Sequence, residues 1–470
     1  MFVALALVLP LRARPARAQD RDTLLYNIAI VTHSPHLMVE ARLTRSTAGP
    51  ITLAAPPAAG AAGTSVQGLV ATDDRGVRMD LERHGDSYVI GASRPGAIRF
   101  RYRLDIRRPV TDGSTSSGLD SMRLYAVTGS LFVAPDPTAY RKTDRAYPVV
   151  IVEVLPPPLW RVIAGWPRAG GAFLPVDGDD LLEGTLAAAP DFRLYADSAG
   201  GATWRLAIRG PRHFPDSLLT DAIEAGLAMG ASAFGPVPVP AVTFTAEVGH
   251  KGQMSGSLQG RASVGLVWEP SEILERARLH DVFHETLHLW FGGAMTTERW
   301  WTEGVTDYLA ARFLARWRRQ PQDLAALCFE SLRNYQQIGY RFRMTMAEEN
   351  RRHIPGDNTE LLVYRKGMLA GLLLDAAIRT SSRGERSLDD AARQLLSLAT
   401  ARRNHNVSVE ELRAAVAAAG GPDAERTWAR IVEGTAPLTE RDVADALAAV
   451  TGQVFAAPPA NAKIGKQLAR

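Results

Sequence analysis

From Leu24 to about Gly210 the chain is built of short stretches in which apolar and polar residues alternate. Residues 26–31, 37–43, 98–106, 148–155 and 203–208 carry this period of two, separated by Gly, Pro, Ser and Asp. Successive side chains of a strand point to opposite faces, so the pattern predicts antiparallel strands packed as a β-sandwich-like domain. Residues 54–63, rich in Ala, Pro and Gly, predict a loop. After Pro211 the texture changes. Residues 217–234 predict a helix, and 241–248 and roughly 262–268 predict two strands. The next helix is expected over 271–291, with Ser271 as N-cap behind Pro270 and a stop at Gly292-Gly293. Another begins after Thr296 or Thr297 and runs through Leu309, Phe313, Leu314 and Trp317. From about Asn358 the pattern is mainly helical; Ser387 opens one helix, and Ser408-Val-Glu-Glu opens another with a capping box. The expected fold class is therefore α+β and multidomain. A β-rich domain spans 24–210, a mainly helical domain follows over 211–454, and 455–470 form a loose tail.

Composition narrows the class. With 470 residues, 46% hydrophobic and 22% charged, the chain has the material for two or three soluble domains. The net charge of +4 invites a nucleic-acid reading, but Arg12, Arg14 and Arg17 fall in a leader, and without them +1 remains. Arg316, Arg318 and Arg319 cluster at a helix end, where they offset the helix dipole, and no nucleic-acid motif appears. The expected partners thus exclude nucleic acid. Residues 2–11 form an apolar run and Ala16-Arg17-Ala18 has the small-x-small shape of a signal-peptidase site, so 1–18 read as a signal peptide and the protein as exported, periplasmic or secreted, from a bacterium. No basic residue precedes that run. It is too short to span a bilayer and no other segment suffices, so no stable membrane insertion is expected. The single Cys328 excludes an internal disulfide, and its apolar neighbours make it a buried, inert thiol. Asp177, Asp179 and Asp180 lack EF-hand spacing and read as a solvated turn.

The chemistry concentrates in His284-Glu285-Thr286-Leu287-His288 and, after fourteen intervening residues, in Glu303-Gly304-Val305-Thr306-Asp307. On a helix, positions i and i+4 share a face, so His284 and His288 can reach one metal ion. Glu285 can approach a water on the metal's open side. A second helix would bring Glu303 alongside as third ligand, completing the two-His, one-Glu set of a catalytic zinc. Asp307, one turn on, is placed to accept the other ring N–H of a ligand histidine. These nitrogen and oxygen ligands suit Zn2+ and also admit cobalt or manganese. A metzincin arrangement is excluded, since Phe291 and Ala294 stand where that motif needs glycine and histidine. Hydrolysis also needs a donor for the developing oxyanion. Tyr364, in Val363-Tyr364-Arg365-Lys366-Gly367, reads either as that donor or as a helix tyrosine packed by Leu361, Leu362 and Met368.

Together these residues resemble the glycyl aminopeptidase family of gluzincin (HExxH…E, thermolysin-like) zinc metallopeptidases. The resemblance is dense from Pro211 to Leu447 and looser over the β-rich half, where only strand pattern and order agree. It includes Phe234-Gly235, Ile378-Arg379, Ser387-Leu-Asp-Asp and Ile431-Val-Glu-Gly-Thr. It implies a thermolysin-like catalytic domain with zinc on His284, His288 and Glu303, Glu285 as general base, Asp307 as supporting acid and Tyr364 as oxyanion donor. Three departures follow. The family's Gly-Gly-Leu-Glu-His segment appears as Gly256-Ser257-Leu258-Gln259-Gly260, so the residue that would bind a substrate's free amine is the neutral Gln259. An ammonium there loses a charge-assisted partner, a difference of about 1.5–3 kcal/mol or roughly ten- to a hundredfold in affinity. The spacing from His288 to Glu303 is shorter than in the relatives, which implies a clipped loop. Too few residues follow Leu447 for the PDZ-like domain common in the family.

The functional expectation is a zinc-dependent metallopeptidase acting on a peptide or protein substrate through metal-activated water, aminopeptidase-like but with a relaxed requirement for a free N-terminus. Two alternatives stand beside it: a noncatalytic zinc-containing binding protein on the same fold, and a hydrolase of a non-peptide amide or ester.

Overall fold

A computed structural model describes residues 21–457 except 34–35, 57–63, 86, 107–117, 143–145, 212–213, 249–254, 269–275, 338–343, 353–357 and 403–404. The signal peptide expected at 1–18, the Ser271 cap, most of the 54–63 loop and residues 458–470 of the tail lie outside the described residues.

In the N-terminal half the period-two pattern becomes strands. Leu24, Tyr26, Ile28 and Ile30 are buried along Thr23–Val31, and the residues between them are not. That strand pairs antiparallel with His36–Arg45, which pairs with Gly96–Ile106, inside an eight-stranded sheet. One pairing departs from the antiparallel expectation: Thr23–Val31 runs parallel to Val149–Leu155. Two four-stranded sheets complete this half. Ile51, Leu53 and Ile90 of one, and Leu124 and Leu186 of the other, share a core with the large sheet. Buried Tyr26 and Tyr102 donate hydrogen bonds to the Val133 and Leu131 carbonyls, at 2.8 and 2.9 Å, which satisfies backbone acceptors inside that core. The Asp177 region is ordered further than a solvated turn, because the Asp177 carboxylate caps the short helix Gly178–Glu183 by accepting from the Asp180 N–H at 2.8 Å.

The second half has its own core, running from Ala202 to Leu447. Its sheet holds Ala202–Arg209, Ala241–Val248 and Ser263–Trp268 in parallel, with Arg193–Ala199 and Ser255–Gln259 antiparallel at the two edges. Alternation in 203–208 had grouped that segment with the preceding strands. Alternation reports burial and not partner, and here the helix Asp216–Phe234 provides the crossover that a parallel pair with Ala241–Val248 requires. Helices Arg276–Leu287, Thr306–Arg318, Pro321–Gln337, Asn358–Ser381, Leu388–Thr400, Val409–Ile431 and Glu440–Thr451 make up the rest. A short helix, Met346–Arg351, lies among them, and capping boxes open four helices: Thr345 with Glu348, Ser387 with Asp390, Ser408 with Glu411, and Thr439 with Asp442. The helix expected to reach residue 291 stops at Leu287, and the chain folds through a turn over 288–290. The next, expected after Thr296 or Thr297, opens at Trp300 as a π-helical turn, Trp300–Val305. Cys328 is fully buried, and burial pushes its thiol pKa well up. Among the described residues no helix is long and apolar enough to cross a membrane.

The halves meet through a small cluster of Tyr125, Ile163, Ala187, Ala189, Phe192 and Ala207, and through polar contacts beside it. Arg123 Nε lies 2.5 Å from Glu247 Oε2, both side chains nearly buried, and Thr243 Oγ1 donates to the Ala164 carbonyl at 2.8 Å. Removing one member of a buried ion pair leaves the other desolvated, so Arg123→Ala should cost about 3–5 kcal/mol in urea unfolding. Adding Glu247→Ala should return part of that loss; fully additive losses would show the two side chains to be uncoupled.

Candidate active site

The helix Arg276–Leu287 buries Val282, Phe283 and Leu287 completely in the second core. That anchoring leaves His284, Glu285 and His288 on the opposite side, each under a tenth exposed. Backbone helicity carries one residue past the helix end, since the His288 N–H still donates to the His284 carbonyl at 3.2 Å. The i, i+4 relation of the two histidines is therefore preserved.

The π-helical turn brings Glu303 to them. Its Oε2 lies 3.5 Å from His284 Nε2 and 3.3 Å from His288 Nε2. Ligand atoms on a tetrahedron with bonds of about 2.0–2.1 Å stand ~3.3–3.4 Å apart, so the donor set fits a zinc-sized ion. One ligand atom from each of the three residues falls within 4.8 Å of the other two, the only such group among the described residues. The tautomers agree with this. His288 Nδ1 lies 2.8 Å from the Phe291 carbonyl, which can only accept, so Nδ1 carries the proton and the Nε2 lone pair faces Glu303. His284 Nδ1 lies 2.9 Å from Asp307 Oδ1, with the same consequence.

Burial alone would lower the two histidine pKa values and raise those of the acids. The carboxylates of Glu303, Asp307 and Glu285 outweigh it and raise His284, and those of Glu303 and Glu285 raise His288. The histidines in turn pull Glu303 and Asp307 below the usual carboxylate range, His280 and Arg365 adding to the effect on Asp307. The centre thus attracts positive charge. Glu285 behaves differently: burial raises its pKa despite the nearby histidines, and its buried Oε2 has no hydrogen-bond partner among the described residues. Tyr364 stands on the helix Asn358–Ser381, its ring 6.2 Å from that of His284 and tilted by 28°. Burial, then the charges of Glu303, Asp307 and Glu285, push its phenol pKa far up, so it stays protonated and able to donate.

Backbone proximity fixes these positions. A Cβ on Gly367 would come within 2.5 Å of the Trp300 carbonyl oxygen and 2.8 Å of Gly304 Cα; one on Gly304 would meet the Val363 carbonyl oxygen at 2.7 Å. The Glu303 turn and the Tyr364 helix can cross this closely only because both residues lack a side chain. Gly256, on the edge strand Ser255–Gln259, is constrained likewise, since a Cβ there would lie 2.4 Å from Glu285 Cγ. Gly256, Ser257, Leu258, Thr302, Glu303 and Tyr364 are among the residues lining a cleft of about 310 Å³ over this centre.

Six of the seven site residues read from the sequence therefore come together. Gln259 does not: it is absent from the cleft lining, and its amide Nε2 donates to Ser257 Oγ at 3.0 Å. Sequence reasoning also missed supporting residues. Arg365 Nη1 lies 3.7 Å from Asp307 Oδ2, and His280 Nε2 donates to the Asp307 carbonyl at 3.0 Å. Lys366 is buried, donating to the Met344 carbonyl at 2.9 Å and to Glu349 Oε1 at 3.1 Å. Burial pushes the Glu349 carboxyl up to about 7 against the pull of Lys366. Arg365 and Lys366 sit inside the tyrosine motif and His280 lies one turn before His284, which is the signal that could have found them.

No family model and no curated protein matches the sequence. Solved structures do match in fold. An aminopeptidase N family protein from Idiomarina loihiensis superposes with a TM-score of 0.74 at 18% identity, over 90% of this chain and 78% of that one. An M1 zinc metallopeptidase from Deinococcus radiodurans gives 0.56 at 16% identity, over 90% and 96%. A mutant from the same organism, described as bound to a Tyr-Ser-Ala substrate, gives 0.56 at 16% over 89% and 95%. At these identities the likeness is one of fold: a β-rich N-terminal region followed by a helical one, as in M1 peptidases.

With the Asp307 carboxylate 2.9 Å from His284 Nδ1 and so placed to set that ring's orientation, Asp307→Asn should weaken zinc binding about ten- to a hundredfold. Competition with a chromogenic chelator measures this, and unchanged affinity would remove Asp307 from the support of the centre.

Proposed function

We propose that the protein is a zinc-dependent metallopeptidase of the gluzincin type, related to the glycyl aminopeptidases, with the boundary between its halves near residue 190. The observation that carries this reading is the meeting of His284, His288 and Glu303 at metal-ligand separations beneath the buried acid Glu285. His284 and His288, through Nε2, and Glu303, through Oε2, would hold the ion. Bound zinc supplies a Lewis acid that polarises a carbonyl and acidifies water.

The chain's own groups do the rest. Glu285 has an unpartnered oxygen and a raised pKa, which suits a general base that takes a proton and returns it to the leaving amine. The Tyr364 phenol, kept neutral, donates to the oxygen on which negative charge develops. Asp307, backed by Arg365 and His280, keeps His284 in one orientation. Ser255–Gln259 is an edge strand beside the cleft, and its unpaired side suits pairing with an extended peptide. A noncatalytic zinc scaffold would use neither the unpartnered oxygen of Glu285 nor the Tyr364 phenol. The leader-like segment at 1–18 supports action outside the cytoplasm of a bacterium.

Glu285→Gln should retain about one equivalent of zinc by metal analysis and lose at least a hundredfold in turnover of a peptide library. A variant with undiminished activity would sink the assignment.

The edge strand and the turn after it give the cleft Gly256, Ser257, Leu258 and Gly260, none of them charged. We infer that a free α-amine is not demanded, with Gln259 in place of the family's acid. N-acetylated peptides should be cleaved with kcat/KM within about threefold of their free counterparts. A preference of tenfold or more for the free amine, equivalent to a charge-assisted contact, would refute this.

A further inference from the structure

Away from the metal-ligand cluster, a second cavity of about 260 Å³ opens between the C-terminal end of Asp216–Phe234 and the helices Thr306–Arg318, Asn358–Ser381 and Leu388–Thr400. Arg312, Arg316, Arg379 and Arg393 line it, with Asp389 as the single lining acid. Its charges are unequally matched. Arg312 is held by two carboxylates, at 2.9 Å from Asp375 Oδ2 and in a short contact with Asp389. Arg393 donates to the Ala233 carbonyl at 2.5 Å and pairs with Asp390. Asp375, fully buried, is satisfied from four directions: the Tyr308 hydroxyl, Arg312, Arg379 and the Leu388 N–H.

Two guanidinium groups keep donors in reserve. Arg379 uses only Nε, 3.0 Å from Asp375 Oδ1, and both its terminal nitrogens have no hydrogen bond among the described residues. The Arg316 guanidinium has neither a hydrogen bond nor an ion pair among them. Arg393 caps the end of Asp216–Phe234 through the Ala233 carbonyl, whereas Arg316 and Arg379, in the last turns of their own helices, offset those dipoles without using these N–H donors. Counting Asp375, Asp389 and Asp390 against the four arginines leaves one positive charge in surplus. Planar guanidinium forks match tetrahedral oxyanions through paired hydrogen bonds.

We propose that this cavity binds a small oxyanion of the phosphate class, gripped between Arg316 on one helix and the terminal nitrogens of Arg379 on the other. The bound anion ties Thr306–Arg318, which begins beside Asp307, to Asn358–Ser381, which carries Tyr364. It braces the two helices that flank the metal-ligand cluster from outside it, and this holds whatever reaction that cluster performs.

The test is thermal unfolding of the zinc-supplemented full chain, with inorganic phosphate or glycerol phosphate added at ionic strength held constant by sodium chloride. Phosphate should raise Tm saturably by roughly 2–5 °C. An equal response to glycerol phosphate assigns the cavity to the phosphoryl group of an ester, and a response to phosphate alone assigns it to the free ion. Arg316→Ala should weaken binding about ten- to a hundredfold, as expected for one charge-assisted partner. Ser232→Glu, which places a carboxylate at an exposed position in the cavity wall, should abolish the shift. Both variants should melt like the parent when no phosphate is present. Absence of a saturable shift, or a shift that persists in both variants, as for phosphate bound at the metal centre, overturns the proposal.

Discussion

Three carboxyl groups and two imidazoles are buried within one small volume, and the rest of the second half is arranged around that fact. Glu285, Glu303 and Asp307 meet His284 and His288 with little access to water. Several kcal/mol of desolvation attend each buried charge unless an opposite charge answers it. Phe291 and Asp307 take up the outer nitrogens of the histidines, so both Nε2 lone pairs point at a carboxylate oxygen. Lone pairs directed at one place are tolerable only with a cation, a proton or a metal, between them. The raised histidine and lowered Glu303 pKa values express the same demand. Arg365 and His280 answer it at the periphery by neutralising and holding Asp307.

Holding these groups in register is a backbone problem. Glu303 and Asp307 must both face His284, one at Nε2 and the other at Nδ1, which an even α-helical turn would set with little latitude. The segment Trp300–Val305 takes up a π-helical turn there, and such widened turns recur at functional sites because they re-aim a side chain without breaking the helix. The turn is then pressed against the tyrosine helix through Gly304 and Gly367. Distances on the scale of a hydrogen bond are thus decided by the absence of two Cβ atoms.

Much of this was legible in the sequence, for reasons that also explain the remainder. The His284, Glu285, Glu303 and Asp307 spacing needs only helical periodicity to be read, and a helix buried on one face enforces it. Ser387 and Ser408 announced their helices because capping is local chemistry. The π-helical turn was not legible, since no residue type selects it. Neither was the sheet to which 203–208 belongs, because alternation is the same in either partner's company. Gln259 was placed at the substrate by analogy of position. In the structure the Gln259 amide donates to Ser257 Oγ, and the strand residue that abuts Glu285 is Gly256.

That strand also gives the N-terminal half a part in the cleft. Among the described residues Ser255–Gln259 pairs only with Ser263–Trp268, so none of them restrains its outer side within the sheet. Restraint comes from across the chain. Gly260, in the turn after it, packs so closely on Glu183 that a Cβ would lie 2.9 Å from the Glu183 carbonyl oxygen. Gly165 abuts Ser263, the Ala164 carbonyl takes the Thr243 hydroxyl, and Arg123 meets Glu247. These contacts fall on the turn after that strand and on the next two strands of its sheet, Ser263–Trp268 and Ala241–Val248. The β-rich half therefore acts on the site mechanically, as the support that holds the cleft wall at the distance Gly256 permits.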